Sequence, residues 1–103
     1  MNKEYKLSYL PIFEEDMQEA VDYIAKVLHN PTAAKRLIDD TEQAILERLK
    51  TPESFQPYAS RKKRDHTYYR INIRNFSVFY VVIGDVMEVR RFIYIKRDID
   101  AII

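Results

Sequence analysis

The chain has 103 residues, of which 47% are hydrophobic and 32% charged, with a net charge of +1 and no cysteine. That length fits a single domain over residues 1–103 and leaves no room for a second. The composition excludes disulfides and thiolate metal sites, and no stretch approaches the roughly 20 apolar residues of a membrane span. The first residues, MNKEYKLSYL, also lack the apolar core of a signal peptide. We therefore expect a cytoplasmic protein with no membrane partner, metal or cofactor.

The first third of the chain predicts a short strand followed by a helix. Lys6–Leu10 alternates between polar and apolar residues, and Pro11 ends this edge strand because proline has no N–H for a ladder. From Phe13 the apolar residues recur at the helical period, with three acids in the first turn, where the helix dipole favours them. An amphipathic helix ending near His29 follows.

A second helix is predicted directly after the first. Asn30 is a good capping residue and Pro31 suits the first helical position. The apolar period continues to about Leu49, and Pro52 prevents further helix. Because the connection is so short, the two helices should lie antiparallel. Thr51–Asp65 has no clear period and is predicted to be a loop with a strongly basic end.

Thr67–Arg97 is predicted to form three strands joined by very short turns. The segment is rich in Val, Ile, Phe and Tyr, which suit a half-buried sheet. The only glycine of the chain, Gly84, stands with Asp85 between two apolar runs, which is typical of a two-residue hairpin. The remaining tail, Asp98–Ile103, is expected to dock through its isoleucines.

The register of the last two strands follows from counting outward from that turn. Tyr80 then lies opposite Val89, and Val78 lies opposite Arg91. Cross-strand partners share a face, so one face is nearly all apolar, and Arg91 on it must reach the rim or pair with a helix acid. The first of the three strands sends Tyr69, Ile71 and Ile73 to that face and Tyr68, Arg70, Asn72 and Arg74 to the other.

These elements predict an α+β fold of order β-α-α-β-β-β. An antiparallel helical hairpin covers the apolar face of a small antiparallel sheet. Residues 1–60 hold 7 basic and 11 acidic residues, a net charge of −4, whereas residues 61–103 hold 10 and 5, a net charge of +5. The basic strand half favours an acidic partner, either nucleic acid or protein, although acidic helices that simply face solvent give the same asymmetry.

Four arginines are the main candidates for binding a target. They are Arg70, Arg74 and Arg90 on the mixed face of the predicted sheet and Arg97 at its end. The fixed fork of donors in arginine matches phosphate and carboxylate groups. A basic face of this kind can hold an RNA backbone, with Tyr68 and Phe79 stacking on a base. Ordinary solvated arginines are the alternative interpretation.

Catalytic groups are few. The chain has two histidines and no Gly-rich phosphate loop, so no metal site is predicted. His66 follows the basic run and precedes the first of the three strands, where it could act as a general base near neutral pH. A solvated loop histidine is the simpler interpretation.

Four strings spread along the chain suggest a family. In order they are NPTAAKRLIDDTEQAI, LKTPES, YYRINIRNFSVFYVV and VRRFIYIKRDID. Their sequence and spacing resemble the RelE/ParE toxin superfamily of bacterial type II toxin-antitoxin modules. The resemblance implies the fold described above, growth arrest as the activity and a cognate antitoxin protein as partner.

RelE-like members of this superfamily cleave messenger RNA in the ribosome without a metal, using basic residues and a tyrosine. This chain has Arg70 and Asn72 at two lysine positions of that subgroup and Ser77 at an arginine position. Arg97 matches the arginine near the end of the last strand, but the catalytic tyrosine falls at about Ile103. Cleavage by 2′-hydroxyl attack needs a base, an acid and charge stabilisation, and this sequence offers mainly the last.

ParE-like members bind DNA gyrase without evident chemistry of their own. Their long helical hairpin and closing basic string resemble this chain, which ends in Lys96-Arg97-Asp98. The resemblance therefore favours a non-enzymatic gyrase inhibitor. The alternatives are a RelE-like ribosome-dependent endoribonuclease and a small basic nucleic-acid-binding module.

Overall fold

A computed structural model describes residues 3–103 as a four-stranded sheet covered by a helical hairpin. The elements are β1 (Lys6–Tyr9), α1 (Pro11–Asp22), a π-helical turn (Tyr23–Val27), α2 (Pro31–Arg48), β2 (Tyr69–Ile73), β3 (Phe76–Ile83), β4 (Val86–Tyr94) and α3 (Ile99–Ile102). The α+β class and the element order confirm the prediction, while the tail, predicted only to dock, also forms a helix. None of the helices in the described part of the chain is long and apolar enough to cross a bilayer.

The strands follow the order β1-β4-β3-β2. β2, β3 and β4 form the predicted antiparallel meander, and β1 joins the outer edge of β4 in parallel. The sheet is therefore mixed. No tight turn connects β1 to β4, since the helical hairpin and two strands separate them in sequence, and so no turn geometry dictates an antiparallel pairing.

The helical hairpin forms where the sequence predicts it. The side-chain oxygen of Asn30 accepts a hydrogen bond from the backbone N–H of Ala33 at 3.1 Å, and Pro31 is the first residue of α2. Before it, His29 has a φ of 51°, in the left-handed region that ends helices. The chain thus reverses direction within three residues, which packs α1 against α2.

A β-bulge interrupts the β3–β4 hairpin. The predicted pairing holds from the turn out to Tyr80, which lies opposite Val89. The register then shifts by one residue, and Arg90 is the extra residue. Beyond it Phe79 lies opposite Arg91, Val78 opposite Phe92, Ser77 opposite Ile93 and Phe76 opposite Tyr94. The predicted pairing of Val78 with Arg91 is therefore wrong, because counting from a turn assumes an unbroken ladder.

The main core lies between the hairpin and one face of the sheet, as predicted. Its buried members are Phe13, Leu37 and Ile45 from the helices and Tyr69, Ile71, Ile73, Val78, Tyr80, Met87, Val89 and Phe92 from the strands. The apolar period of each helix and the alternation of β2 and β3 bring most of these residues together. In β4 the bulge moves Phe92 to this face and Ile93 to the other, the reverse of the predicted assignment. Burial of this apolar area is the main favourable term in folding.

The opposite face of the sheet has a small core of its own. Phe79, Ile93 and Ile99 are buried there, and Tyr58 packs edge-on against Phe79 with ring centroids 5.2 Å apart. The predicted open, mixed face is wrong at its centre, because Phe79 is 0% exposed and cannot stack on a base. The tail helix and the loop before β2 cover it.

Tyr80 joins the sheet to the end of the hairpin. Its hydroxyl donates a hydrogen bond to the backbone oxygen of Pro52 at 2.6 Å and accepts one from Arg48 at 3.0 Å. Arg48 also donates to the backbone oxygen of Arg70 at 3.3 Å. Burial raises the pKa of Tyr80, so the hydroxyl keeps its proton and remains a donor. These bonds fix the end of α2 and the following loop to β2 and β3.

Tyr80→Phe should lower the free energy of unfolding by about 1 to 3 kcal/mol, because the Pro52 oxygen and the Arg48 guanidinium then lose a buried partner. Tyr94→Phe is the control, since Tyr94 is 38% exposed and its loss should fall within about 0.5 kcal/mol. Urea unfolding of the three proteins measures both effects. Equal stabilities of Tyr80→Phe and the wild type would contradict the role of this hydroxyl.

Candidate target-binding surface

The four predicted arginines do not form one surface. Arg70 and Arg90 lie on the face covered by the tail, Arg74 lies in a turn and Arg97 lies at the end of the sheet. The continuous basic face that strand alternation predicts is therefore divided into three places.

Arg70 is held under the loop that precedes β2. Its Nε donates to the hydroxyl of Ser77 at 2.8 Å, and its guanidinium lies 5.8 Å from the ring centroid of Tyr58 and 5.6 Å from that of Phe79. Ring faces attract a cation at such distances. Arg70 is half-buried and already has partners, which makes it a structural residue first.

Arg90 occupies the bulge and faces Tyr68. Its Nε contacts the Glu88 carboxylate at 2.7 Å, and its Nη1 donates to the Tyr68 hydroxyl at 2.9 Å. Burial acts to lower the pKa of Arg90, but the bonds to Tyr68 and Glu88 outweigh it and raise the pKa. The Tyr68 ring also lies 5.9 Å from the guanidinium of Arg64, so two cations flank it.

His66 lies in the same region as Tyr68 and Arg90. It lines a shallow cavity of about 360 Å³ together with Lys63, Arg64, Asp65, Tyr68 and Arg90. His66 is exposed, as predicted for a loop. The cavity gathers positive charge around a histidine and a phenol, which are the groups that would hold a phosphate and move a proton.

Arg74 was predicted on the face of Arg70, and the structure corrects this. β2 ends at Ile73, and Arg74 has a φ of 55°, so the strand alternation no longer applies to it. Its guanidinium forms an ion pair with Asp40 on α2, in the helical layer. A left-handed residue at the turn thus turns this arginine away from the other candidates.

Arg97 lines a large cleft between the first helices, β4 and the tail. The cleft has a volume of about 710 Å³ and is lined by Asp16, Glu19, Ala20, Tyr23, Ile24, Leu28, Asn75, Phe76, Arg91, Phe92, Ile93, Tyr94, Arg97 and Ile102. Of its two arginines, Arg91 is bound to Asp16 at 2.7 and 2.9 Å, as one of the two sequence interpretations predicted. Arg97 is exposed, and within residues 3–103 its guanidinium forms no ion pair.

Hydrogen bonds around Asp100, together called the Asp100 latch, hold the tail, and the sequence did not predict them. Asp100 is 8% exposed and accepts hydrogen bonds from the Ser60 hydroxyl and the Arg61 Nε, both at 3.0 Å. Arg64 donates to the backbone oxygens of Asp100, at 2.8 Å, and of Ile103. The bond from Arg61, together with that from Ser60, lowers the pKa of Asp100 from 3.8 to about 2. The tail carries acidic residues and the loop before β2 carries basic ones, and this difference in charge was the sequence signal for their contact.

Two of the solved structures that the chain resembles are toxin-antitoxin systems. A structure described as the chromosomal ParDE toxin-antitoxin system from P. aeruginosa matches with a TM-score of 0.74 and 14% identity, covering 90% of this chain and 98% of that one. The RelB-RelE antitoxin-toxin complex from Methanococcus jannaschii gives a TM-score of 0.49 and 21% identity, covering 91% and 96%. At these identities the first likeness shows the fold alone, and no curated protein sequence matches the chain.

The sequence itself matches a family model along most of its length. The model describes the ParE toxin of the type II toxin-antitoxin system parDE, and it covers residues 7–99. The chain therefore belongs to the ParE toxin family and is a toxin of a type II toxin-antitoxin system. This confirms the RelE/ParE resemblance read from its four strings.

The Asp100 latch should make stability depend on acid. Because the folded pKa of Asp100 lies below its ordinary value of 3.8, its contribution is complete above about pH 4 and disappears as the pH falls towards 2. Asp100→Asn should therefore melt below the wild type at pH 6, and the gap should narrow below pH 4 and close as the pH falls through about 2. Asp98→Asn is the control, since Asp98 is exposed and lies 3.9 Å from Arg61. A gap independent of pH would contradict the latch.

Proposed function

We propose that this ParE family toxin arrests bacterial growth by inhibiting DNA gyrase and is neutralised by a cognate antitoxin. The family match over residues 7–99 is the observation that carries the proposal. Inhibition by binding requires a surface and no reaction, and the cleft beside Arg97 offers such a surface.

Arg97 is the side chain best suited to contact the target. It is exposed, lines the cleft of about 710 Å³ and belongs to the closing string that resembles ParE-like members. A free guanidinium beside apolar residues can bind a carboxylate or phosphate at the edge of a hydrophobic contact. The other three arginine candidates already bond to groups of the toxin itself, which leaves them less to offer a target.

The antitoxin is proposed to bind along the same cleft. β1 pairs with β4 only as far as Val89, so β4 beyond it has no strand neighbour on that side within residues 3–103. The N–H of Phe92 points to this edge, where it donates to Asp16 at 3.1 Å. Tyr23 and Leu28, 54% and 55% exposed, border the cleft. An open edge beside exposed apolar residues suits strand addition by an extended segment.

A RelE-like nuclease is the second candidate, and the cavity of His66 is the observation that favours it. His66, Tyr68 and Arg90 lie together there and could supply a base, an acid and charge stabilisation. Two facts count against it. The Tyr68 hydroxyl is bonded to Arg90, and Ile103 occupies the approximate position of the family's catalytic tyrosine.

Inducible expression separates the two candidates. Plasmid supercoiling and transcript integrity are followed in the same cells during the first minutes of growth arrest. Early loss of negative supercoiling with intact transcripts supports gyrase as the target. Cleavage of transcripts at codon positions before any change in supercoiling would reverse the order of the candidates.

Arg97→Ala should weaken growth arrest with little loss of stability. Losing a charge-assisted contact costs about 1.5 to 3 kcal/mol, or roughly a tenfold to hundredfold loss of affinity for the target. Lys96→Ala is the matched control, because Lys96 is the neighbouring exposed cation and does not line the cleft. Growth after titrated induction measures both variants.

His66→Ala, tested in the same assay, should leave growth arrest nearly intact, because a toxin that acts by binding needs no general base. Abolished arrest in His66→Ala together with full toxicity of a folded Arg97→Ala protein would overturn the proposed mechanism.

Leu28→Asn should leave the toxin folded but weaken its binding to the antitoxin from the adjacent reading frame, and so reduce neutralisation at induction levels matched for growth arrest. Its side chain borders the cleft, so a polar group there removes apolar area from the contact. Leu46→Asn is the control, since Leu46 is equally exposed at 55% and lies on α2 outside the cleft. Co-expression growth assays compare the two. Equal protection of both variants would place the antitoxin elsewhere.

A further inference from the structure

A second groove lies between α1 and α2, away from the cleft of Arg97. It has a volume of about 270 Å³ and is lined by Tyr9, Phe13, Glu14, Met17, Gln18, Val21, Ile38, Thr41, Glu42 and Ile45. Most of these side chains are apolar. The groove could therefore bind a hydrocarbon chain. Its polar side chains determine which chemical group at the end of that chain would be accepted.

Two carboxylates border the groove, one from each helix. Glu14 and Glu42 are exposed, and within residues 3–103 neither forms an ion pair. Both act on the hydroxyl of Tyr9, whose pKa is raised first by burial and then by the negative charges of Glu42 and Glu14. The border of the groove thus carries two negative charges, within residues 1–60, whose net charge is −4.

The wall of the groove also includes an unused polar group. Thr41 is 1% exposed, and its hydroxyl has no hydrogen-bond partner in the described part of the chain. A buried hydroxyl without a partner costs free energy, and nearly all such groups in folded proteins are paired. Its position beside two unpaired carboxylates suggests that the partner comes from outside.

We propose that this groove binds a lysine or arginine side chain of the antitoxin, an inference that rests on the proposed function. The methylenes of the side chain lie along Met17 and Val21, and its charged end lies between Glu14 and Glu42. Small adjustments of the groove bring a donor to the Thr41 hydroxyl.

The charges and the lining together select this occupant. A carboxylate-bearing side chain is repelled by both glutamates, and an aliphatic one desolvates them and leaves Thr41 unpaired. Lysine and arginine combine an apolar stem with a cationic end that donates hydrogen bonds, and so they satisfy all three features. The antitoxin segment is therefore basic where it crosses the helical hairpin.

A small-molecule probe tests the groove without the antitoxin. n-Butylguanidinium is titrated into the purified toxin while the methionine methyl signals are followed by NMR. Met17 lines the groove, and Met87, buried in the main core at 0% exposure, is the internal control. We expect a saturable shift of Met17 alone, with a dissociation constant of roughly millimolar size. Pentanoate, of similar length and opposite charge, should produce no such shift. Equal responses to both probes, or none to either, would overturn the proposal.

Variants of the two glutamates then test whether their carboxylates bind the guanidinium probe. Glu14→Gln and Glu42→Gln should each weaken probe binding by about threefold to fivefold, the size expected for an exposed ion pair. Glu19→Gln is the control, because Glu19 is an exposed acid of α1 that lies on the other cleft. If Glu19→Gln weakens binding as much as the other two, only general attraction to the acidic residues of the helical hairpin remains.

Thr41→Val tests the unused hydroxyl. It should raise the melting temperature of the free toxin by about 4 to 8 °C, since an unpaired buried group is removed, while weakening probe binding. A lowered melting temperature would show that the hydroxyl already has a partner and would remove it from the proposal.

Failure of this proposal is distinguishable from failure of the proposed function. Growth arrest and neutralisation without a Met17 response remove the groove and leave the toxin assignment standing. A Met17 response in a chain that arrests nothing removes the antitoxin as its occupant.

Discussion

The buried hydroxyl of Tyr80 is the interaction on which the rest of the structure depends. It binds the Pro52 oxygen and the Arg48 guanidinium, and Arg48 in turn bonds to the backbone of β2. One side chain of the central strand therefore fixes the end of α2 and the start of the long loop to the sheet. Because β3 is flanked by β2 and β4, this attachment joins the end of the hairpin to the middle of the sheet.

The second constraint is the covering of the other sheet face. The Asp100 latch draws the tail and the basic loop over Phe79, which removes the open arginine surface and leaves only its margins accessible. One margin holds His66 and Arg90, and the other holds Arg97. The proposed function therefore relies on the end of the sheet rather than on its face. Binding there needs no reactive group, which agrees with a toxin that acts by occupying its target.

Much of the architecture could be predicted from local patterns. Asn30 and Pro31 fix the start of α2, Gly84 fixes a hairpin, and alternation assigns the core face of β2, of β3 and of β4 as far as Val89. The bulge at Arg90 could not be predicted, because it depends on how two strands twist against their neighbours. Counting outward from the turn therefore gave each β3–β4 pair beyond the bulge a register that was wrong by one residue. The candidate site was predicted less accurately than the fold. Long-range ion pairs such as Arg74 with Asp40 decide which cations are free, and no local pattern encodes them.

We propose that this chain stops growth by binding gyrase rather than by cutting RNA. The most direct test of this proposal is the supercoiling of relaxed plasmid DNA by purified gyrase, with the folded toxin added in increasing amounts and no ribosome present. Our account predicts that supercoiling falls as the toxin concentration rises and that added antitoxin restores it. Unchanged supercoiling at every concentration, with the same preparation cleaving messenger RNA on ribosomes, would contradict it.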